Sequence, residues 1–191
     1  GGDILFEYDK RFLDSGIELS PFLLPLRPGV ASDPKRTFDG LFGVFNDSLP
    51  DGWGLLLLDR LLRRSGLPLE RITPLSRLSL VGSGGMGALE YEPVTPDPDP
   101  LPERIDLDGV AEEAWRTLNE DPLPVETLRT LMALNGSSCG ARPKIMVRVS
   151  GDRRLIVPDA VAEPGCDPWL IKFPARHDDP AIGRMEYACS L

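Results

Sequence analysis

Residues 135–149 read NGSSCGARPKIMVRV, and they join a loop of small residues to an apolar strand. The apolar and β-branched residues over 144–149 predict a β-strand, and Gly151 with Asp152 predicts a turn behind it. A second strand is predicted at 169–173, which reads WLIKF. Because successive side chains in a strand point to opposite faces, its lysine should face away from the apolar residues beside it.

Helices are predicted where apolar residues recur at a spacing of three and four. Two of them precede the loop, at 108–119 and 125–134, and we expect Trp115 on the buried face of the first. An earlier helix is predicted at 53–64, with Asp51 as its N-cap and Gly66 just past its end.

Shorter elements complete the pattern. Strands are predicted at 4–8, 41–45 and 88–92, and a helix is predicted from residue 185 onward. Residues 93–102 read PVTPDPDPLP, which predicts an extended linker and the boundary between two parts of the chain. The mixture of helices and strands predicts an α+β fold.

The composition argues against several classes of protein. The 191 residues carry 30 acidic and 21 basic side chains, a formal net charge of -9. Direct contact with nucleic acid is disfavoured, since it needs Lys and Arg to displace counterions. No apolar run approaches the roughly 20 residues that span a bilayer, so we expect a cytoplasmic protein with no membrane contact. The three scattered cysteines, Cys139, Cys166 and Cys189, match neither a disulfide framework nor a zinc site.

Residues 82–87 read GSGGMG and match the dinucleotide-binding fingerprint G-x-G-x-x-G. That chemistry requires a helix directly after the loop, so that its N-terminal amides can hold a pyrophosphate. The strand predicted at 88–92 and the proline at position 93 leave no room for such a helix. We therefore interpret the motif as a flexible turn.

A second set of residues has the composition of a phosphate site. Small residues at 136–141 let backbone N–H groups approach phosphate oxygens, and the hydroxyls of Ser137 and Ser138 add donors. Protein kinases combine such a loop with a strand lysine and a helix glutamate, roles that Lys172 and Glu186 can fill. The alternatives are an ordinary loop, an edge-strand lysine in solvent and a solvated carboxylate. His177 is interpreted as a surface loop residue, because a single histidine makes no metal site.

Four segments in this order resemble the HipA-type serine/threonine kinase toxins of bacterial toxin–antitoxin operons. They are LPDGWG at 49–54, GAL at 87–89 with Tyr91 and Pro93, SCGARPK at 138–144, and WLIKFP at 169–174 with Glu186. The resemblance implies a small β-rich HipA-type N-terminal domain with helices over 1–100. A helical connector and part of a kinase N-lobe, an antiparallel sheet plus a helix, would follow over 101–191.

The resemblance also implies roles for individual residues. Glu186 would orient the ATP-binding lysine, and either Ser137 or Ser138 would be autophosphorylated. The catalytic aspartate and the Mg²⁺ ligands of the family would follow residue 191, so we expect this chain to be the inactive N-terminal half of an ATP- and Mg²⁺-dependent kinase, as a cloned fragment or a truncated reading frame. The residues expected to bind ATP are Gly136, Ser138, Gly140, Ala141 and Lys172.

Partners follow from the same resemblance. We expect an antitoxin of the HipB type, contact with DNA only through that antitoxin, and a protein substrate for which an aminoacyl-tRNA synthetase is a candidate. The alternative function is a non-catalytic interaction module, in which the helix at 53–64 docks the antitoxin and the loop is merely structural.

Overall fold

The computed structural model describes residues 3–64, 66, 68, 71–85, 87–93, 100–136 and 140–190. These residues form seven helices and five strands, which confirms the mixed α+β prediction. In chain order the elements are β1 (Phe6–Glu7), α1 (Lys10–Ser15), β2 (Val30–Ala31), α2 (Gly43–Asn46), α3 (Gly52–Arg64), α4 (Pro74–Val81), α5 (Leu107–Leu118), α6 (Val125–Asn135), β3 (Lys144–Ser150), β4 (Ile156–Pro158), β5 (Cys166–Lys172) and α7 (Ile182–Cys189).

A small aromatic core organises the first part of the chain. Strands β1 and β2 pair antiparallel, and Tyr8 packs with Leu24 and Phe42 beside them. The Phe6 and Tyr8 rings meet edge to face at 4.7 Å, and the Tyr8 hydroxyl donates to the Leu24 carbonyl oxygen. The predicted strand at 4–8 is therefore present but shorter, with its apolar residues on the expected face.

Two predicted strands of this region are wrong. Residues 43–46 form the short helix α2, because the amides of Phe45 and Asn46 both donate to the carbonyl of Phe42. Residues 88–92 are also not a strand: the Tyr91 amide donates to the Gly82 carbonyl, and the Tyr91 hydroxyl bonds to Ser48 Oγ. Both apolar runs are about five residues long, a length at which periodicity cannot separate the alternatives.

The structure also bears on the glycine-rich motif at 82–87. Gly82 follows the end of α4, and its amide donates to the Leu78 carbonyl. The described residues 87–93 contain no helix whose amides could hold a pyrophosphate. Met86 and the centre of the proline-rich segment, 94–99, lie outside the described residues.

The larger core is shared by elements from both parts of the chain. Helix α3, close to its predicted bounds, buries Trp53, Leu57 and Leu61 against α6 and β3. This apolar face of α3 is thus covered within the chain, and antitoxin docking by the helix and its neighbours stays a prediction. The division at residue 100 stays a prediction, and this core has members on both sides of it.

Helices α5 and α6 are found where they were predicted, but the buried face of α5 is different. It buries Val110, Ala114 and Thr117, whereas Trp115 is 48% exposed. The apolar residues of α5 form two neighbouring stripes along the helix, either of which could be buried. The stripe that packs against α6 is the one without Trp115.

The second sheet has the strand order β4-β3-β5, with both pairings antiparallel. Strand β3 covers the strand predicted at 144–149. Strand β5 begins three residues before the strand predicted at 169–173 and ends one residue before its end, and the three-residue β4 was not predicted. Helix α7 begins three residues earlier than expected, at Ile182. Within the described part of the chain, no helix combines the length and the apolar character needed to cross a bilayer.

Candidate functional site

The strand lysine and the helix glutamate singled out from the sequence come together. Lys172 is the last residue of β5, and Glu186 lies in α7, 14 residues further along the chain. The Lys172 ammonium donates directly to Glu186 Oε1, and both side chains remain partly exposed. An ion pair between the end of β5 and α7 is thus present, while the roles in ATP binding stay predictions.

Two further charged residues extend this pair into a network. Arg142 Nε lies 2.9 Å from Asp178 Oδ2, and Arg142 Nη1 lies 3.7 Å from Glu186 Oε2. Asp178 Oδ2 also accepts the amide of Ala175 at 2.8 Å. The segment between β5 and α7 is therefore tied to the residues just before β3, and α7 is held beside the end of the loop.

These contacts favour the ionised forms of both carboxyl groups. The pKa of Glu186 is lowered chiefly by the hydrogen bond from Lys172, and the charges of Lys172 and Arg142 act in the same direction. The pKa of Asp178 is lowered chiefly by the amide of Ala175, with Arg142 adding to the effect. Both groups are solvent-accessible, so water screens much of the attraction.

A second lysine, which the sequence analysis did not assign, lies on the same face of the sheet. Lys144 is the register partner of Lys172 across β3 and β5, and it is only 3% exposed. It packs against Gly140 so closely that a Cβ added to that glycine would lie 2.6 Å from Lys144 Nζ. The antiparallel pairing of the two predicted strands is the signal that could have revealed this lysine, because opposed side chains share a face.

The structure describes both ends of the predicted phosphate loop. Gly136 follows α6, and Gly140 with Ala141 leads into β3. Ser137 and Ser138, the predicted phosphorylation and ATP-contacting residues, lie outside the described residues, as does Cys139. The described ends of the loop therefore lie on the same side of the sheet as Lys144. Arg142, which follows the loop, connects them to the ion pair of Lys172 with Glu186.

The start of α3 contacts this loop, which the sequence analysis did not foresee. The carboxylate of Asp51 accepts the amide of Gly140, and the Trp53 amide donates to the Gly140 carbonyl at 3.1 Å. At the other end, the buried Asn135 side chain donates to the Gly136 carbonyl and packs against Gly54. The motif LPDGWG thus contacts both described ends of the loop.

The described residues supply no ligand set for a metal ion. No group of three or more His, Cys, Asp or Glu side chains among them has a suitable arrangement. His177 lies exposed in a turn, as predicted for a surface loop residue. The described residues therefore do not fit the Mg²⁺ that the resemblance implies.

A comparison with protein-family models gives a match for the first part of the chain. Residues 1–92 match the model described as HipA N-terminal domain. The comparisons with curated proteins and with solved structures gave no match. The matched segment includes α3 and the contacts that it makes with the loop, as well as Tyr91 and its bond to Ser48. Over residues 1–92, this chain is therefore similar to the HipA N-terminal domain family.

Proposed function

We propose that this chain is the N-terminal part of a HipA-like serine/threonine kinase toxin of a type II toxin–antitoxin system. In this proposal it binds the phosphates of ATP between the loop at 136–141 and Lys172, and a loop serine is autophosphorylated. The observation that carries the proposal is the ion pair of Lys172 with Glu186 beside the end of that loop. Protein kinases use such a pair to hold the lysine that contacts the α- and β-phosphates.

Charge supports an anionic ligand at this place. Lys144, Lys172 and Arg142 bring three cations to one side of the sheet in a chain of net charge -9. Opposed like charges in neighbouring strands are unfavourable, so an anion beside the exposed Lys172 would reduce the repulsion on this face. Glu186 and Asp178 neutralise part of this charge and at the same time orient the cations.

In this account, Lys172 donates to the phosphate oxygens and Glu186 keeps its ammonium in place. Gly136, Gly140 and Ala141 let the backbone of the loop come close to the phosphates, since they carry no bulky side chains. The hydroxyl of Ser137 or Ser138 is the acceptor of the transferred phosphoryl group. The complete kinase supplies the metal ligands and the catalytic aspartate from residues beyond those described.

Phosphorylation of the loop tests the proposal. The protein expressed from the complete reading frame is incubated with ATP and Mg²⁺, and peptides that contain Ser137 and Ser138 are analysed by mass spectrometry. We expect one phosphate on this loop in the wild type, its loss in Lys172→Met, and its retention in the matched exposed control Lys35→Met. Absence of loop phosphate in the wild type, or its persistence in Lys172→Met, would overturn the kinase proposal.

A non-catalytic docking role is the second candidate, and exposed apolar residues in the family-matched part favour it. Phe22 is 94% exposed and Leu23 is 75% exposed in the loop between α1 and β2. The partner in this proposal is a HipB-type antitoxin. Co-purification with the antitoxin should be lost in the double variant Phe22→Ser, Leu23→Ser and kept in Lys172→Met; unchanged co-purification of the double variant contradicts docking at this loop.

A further inference from the structure

The backbone of Gly140 is held on both sides by residues that lie about 90 positions earlier in the chain. Its amide donates to the carboxylate of Asp51, and its carbonyl accepts the amide of Trp53. A hydrogen bond to a charged acceptor is stronger than one between neutral groups. The two bonds involve the peptide groups on both sides of Gly140 and together fix its backbone relative to α3.

The approach of α3 to the loop is close enough to require glycine. Gly52 has φ +45°, and a Cβ at this position would lie 2.7 Å from the carbonyl carbon and oxygen of Gly140. It would also lie 2.7 Å from the Cα of Ala141. Because these are backbone atoms, no side-chain rearrangement relieves the clash. The contact is therefore built into the backbone of both segments.

The other end of the loop is held by the same first turn of α3. A Cβ on Gly54 would lie 2.7 Å from Nδ2 of Asn135, a side chain that is fully buried. That same nitrogen donates to the carbonyl of Gly136 at 2.9 Å. The start of α3 thus fixes both described ends of the loop, and Asp51 contributes a charged hydrogen-bond acceptor for the Gly140 amide.

We propose that Asp51 is a positioning residue for the phosphate loop, an inference that rests on the function proposed above. The carboxylate holds the Gly140 amide toward α3, so this amide is not available to a phosphate while the bond lasts. It fixes the backbone at Gly140, just before Ala141 and Arg142, and the loop then needs less ordering when a triphosphate binds. Lower ordering cost on binding means tighter binding.

Three substitutions separate this role from its alternatives. Asp51→Asn removes the charge but keeps an acceptor oxygen, Asp51→Ala removes both, and Asp14→Asn removes an exposed carboxylate in α1 as a control. The first readout is amide exchange of Gly140 in the 191-residue chain without ATP. We expect exchange about tenfold faster in Asp51→Ala than in the wild type, with Asp51→Asn in between and the control unchanged.

The second readout is the affinity for ATP. It is measured for the same variants in the protein expressed from the complete reading frame. Both Asp51 variants lose the same negative charge, so the difference between them reports the loss of the side chain with its acceptor oxygen and not the loss of charge. We expect Asp51→Ala to bind ATP several-fold more weakly than Asp51→Asn at similar thermal stability. Equal affinities would overturn the positioning role, and so would equal Gly140 exchange in all four proteins.

The two readouts also distinguish failure of this inference from failure of the proposed function. Gly140 exchange is measured without nucleotide, so it tests the contact whether or not ATP binds. If no variant and no wild-type protein binds ATP, the kinase proposal fails and the positioning role for a triphosphate fails with it. If the wild type binds ATP and the Asp51 variants bind it with equal affinity, the positioning role is wrong while the kinase proposal stands.

Discussion

Lys144 and Lys172 lie directly opposite each other in the antiparallel register of β3 and β5. Residues that are opposed in this way project from the same face of a sheet, with Cβ atoms about 5 Å apart. The side chains of the two lysines therefore leave the sheet next to each other. Glu186 pairs with Lys172, while Lys144 is buried against Gly140. The triphosphate of the proposed function would bind on this face.

The ion pair predicts a measurable change in the pKa of Glu186. Lys172→Met removes the hydrogen bond that is the main cause of the lowered pKa, so the pKa should rise toward its ordinary value of 4.5. The pKa is followed by the ¹³C chemical shift of the Glu186 carboxyl carbon across the acid range. Lys35→Met should leave the titration curve where it is. An unshifted curve in Lys172→Met would show that the pair does not form in solution.

Acid should loosen the segment that joins β5 to α7. The pKa of Asp178 is lowered in the folded chain, so its ionised form stabilises the fold. This stabilisation is complete at pH values above the ordinary pKa of 3.8, and it is lost as the pH falls through the lower pKa of the folded state. The amide of Ala175, which donates to Asp178, reports this directly. Its exchange protection, corrected for intrinsic rate, should fall in that acid range. Asp178→Asn should remove the pH dependence; if the wild type shows none, the prediction is wrong.

Trp53 should be the most sensitive of the tryptophans to truncation. It is 1% exposed in the larger core, and Trp53→Ala should lower the free energy of unfolding by about 3–5 kcal/mol. Trp115→Ala, at a half-exposed position of α5, is the matched control and should cost much less. Urea unfolding followed by circular dichroism gives both values. Equal losses would contradict the assignment of α3 to a core shared with α6 and β3.

A charge in the loop should oppose nucleotide binding. Phosphate on Ser137 would add about -1.5 to -2 charges where the triphosphate is expected, and Ser137→Asp imitates part of that charge. In the protein from the complete reading frame, calorimetry should show weaker ATP binding for Ser137→Asp than for Ser137→Ala. Unchanged affinity in Ser137→Asp would contradict a phosphate-binding role for this loop.

Much of the second part of the chain could be predicted from the sequence. Helix α6 and strand β3 are long enough for their periodicity to be unambiguous, and their bounds agree with the structure to within a few residues. Lys172 could be selected because a lone cation in an apolar strand needs an anionic neighbour. The short apolar run at 41–45 was misassigned, since five residues fit a strand or a helical turn equally well.

The contact of Asp51 with Gly140 could not be predicted in this way. The two residues lie 89 positions apart, and neither belongs to a periodic pattern that marks a contact. Their approach depends on the packing of α3 on α6, which places the start of one helix against the residues that follow the other. Lys144 was missed for a related reason, because its neighbour Lys172 is set by strand register rather than by local sequence.

The proposed function depends most on where a triphosphate binds. An NMR titration of the ¹⁵N-labelled chain with ATP tests this directly. We expect amide shifts to concentrate at Gly136, Gly140, Ala141 and Lys172, with a Kd no tighter than about 1 mM, or about -4 kcal/mol. Lys172→Met should reduce these shifts, and Lys35→Met should not. Shifts that are absent from these residues, or that are the same in Lys172→Met, would contradict the proposed site.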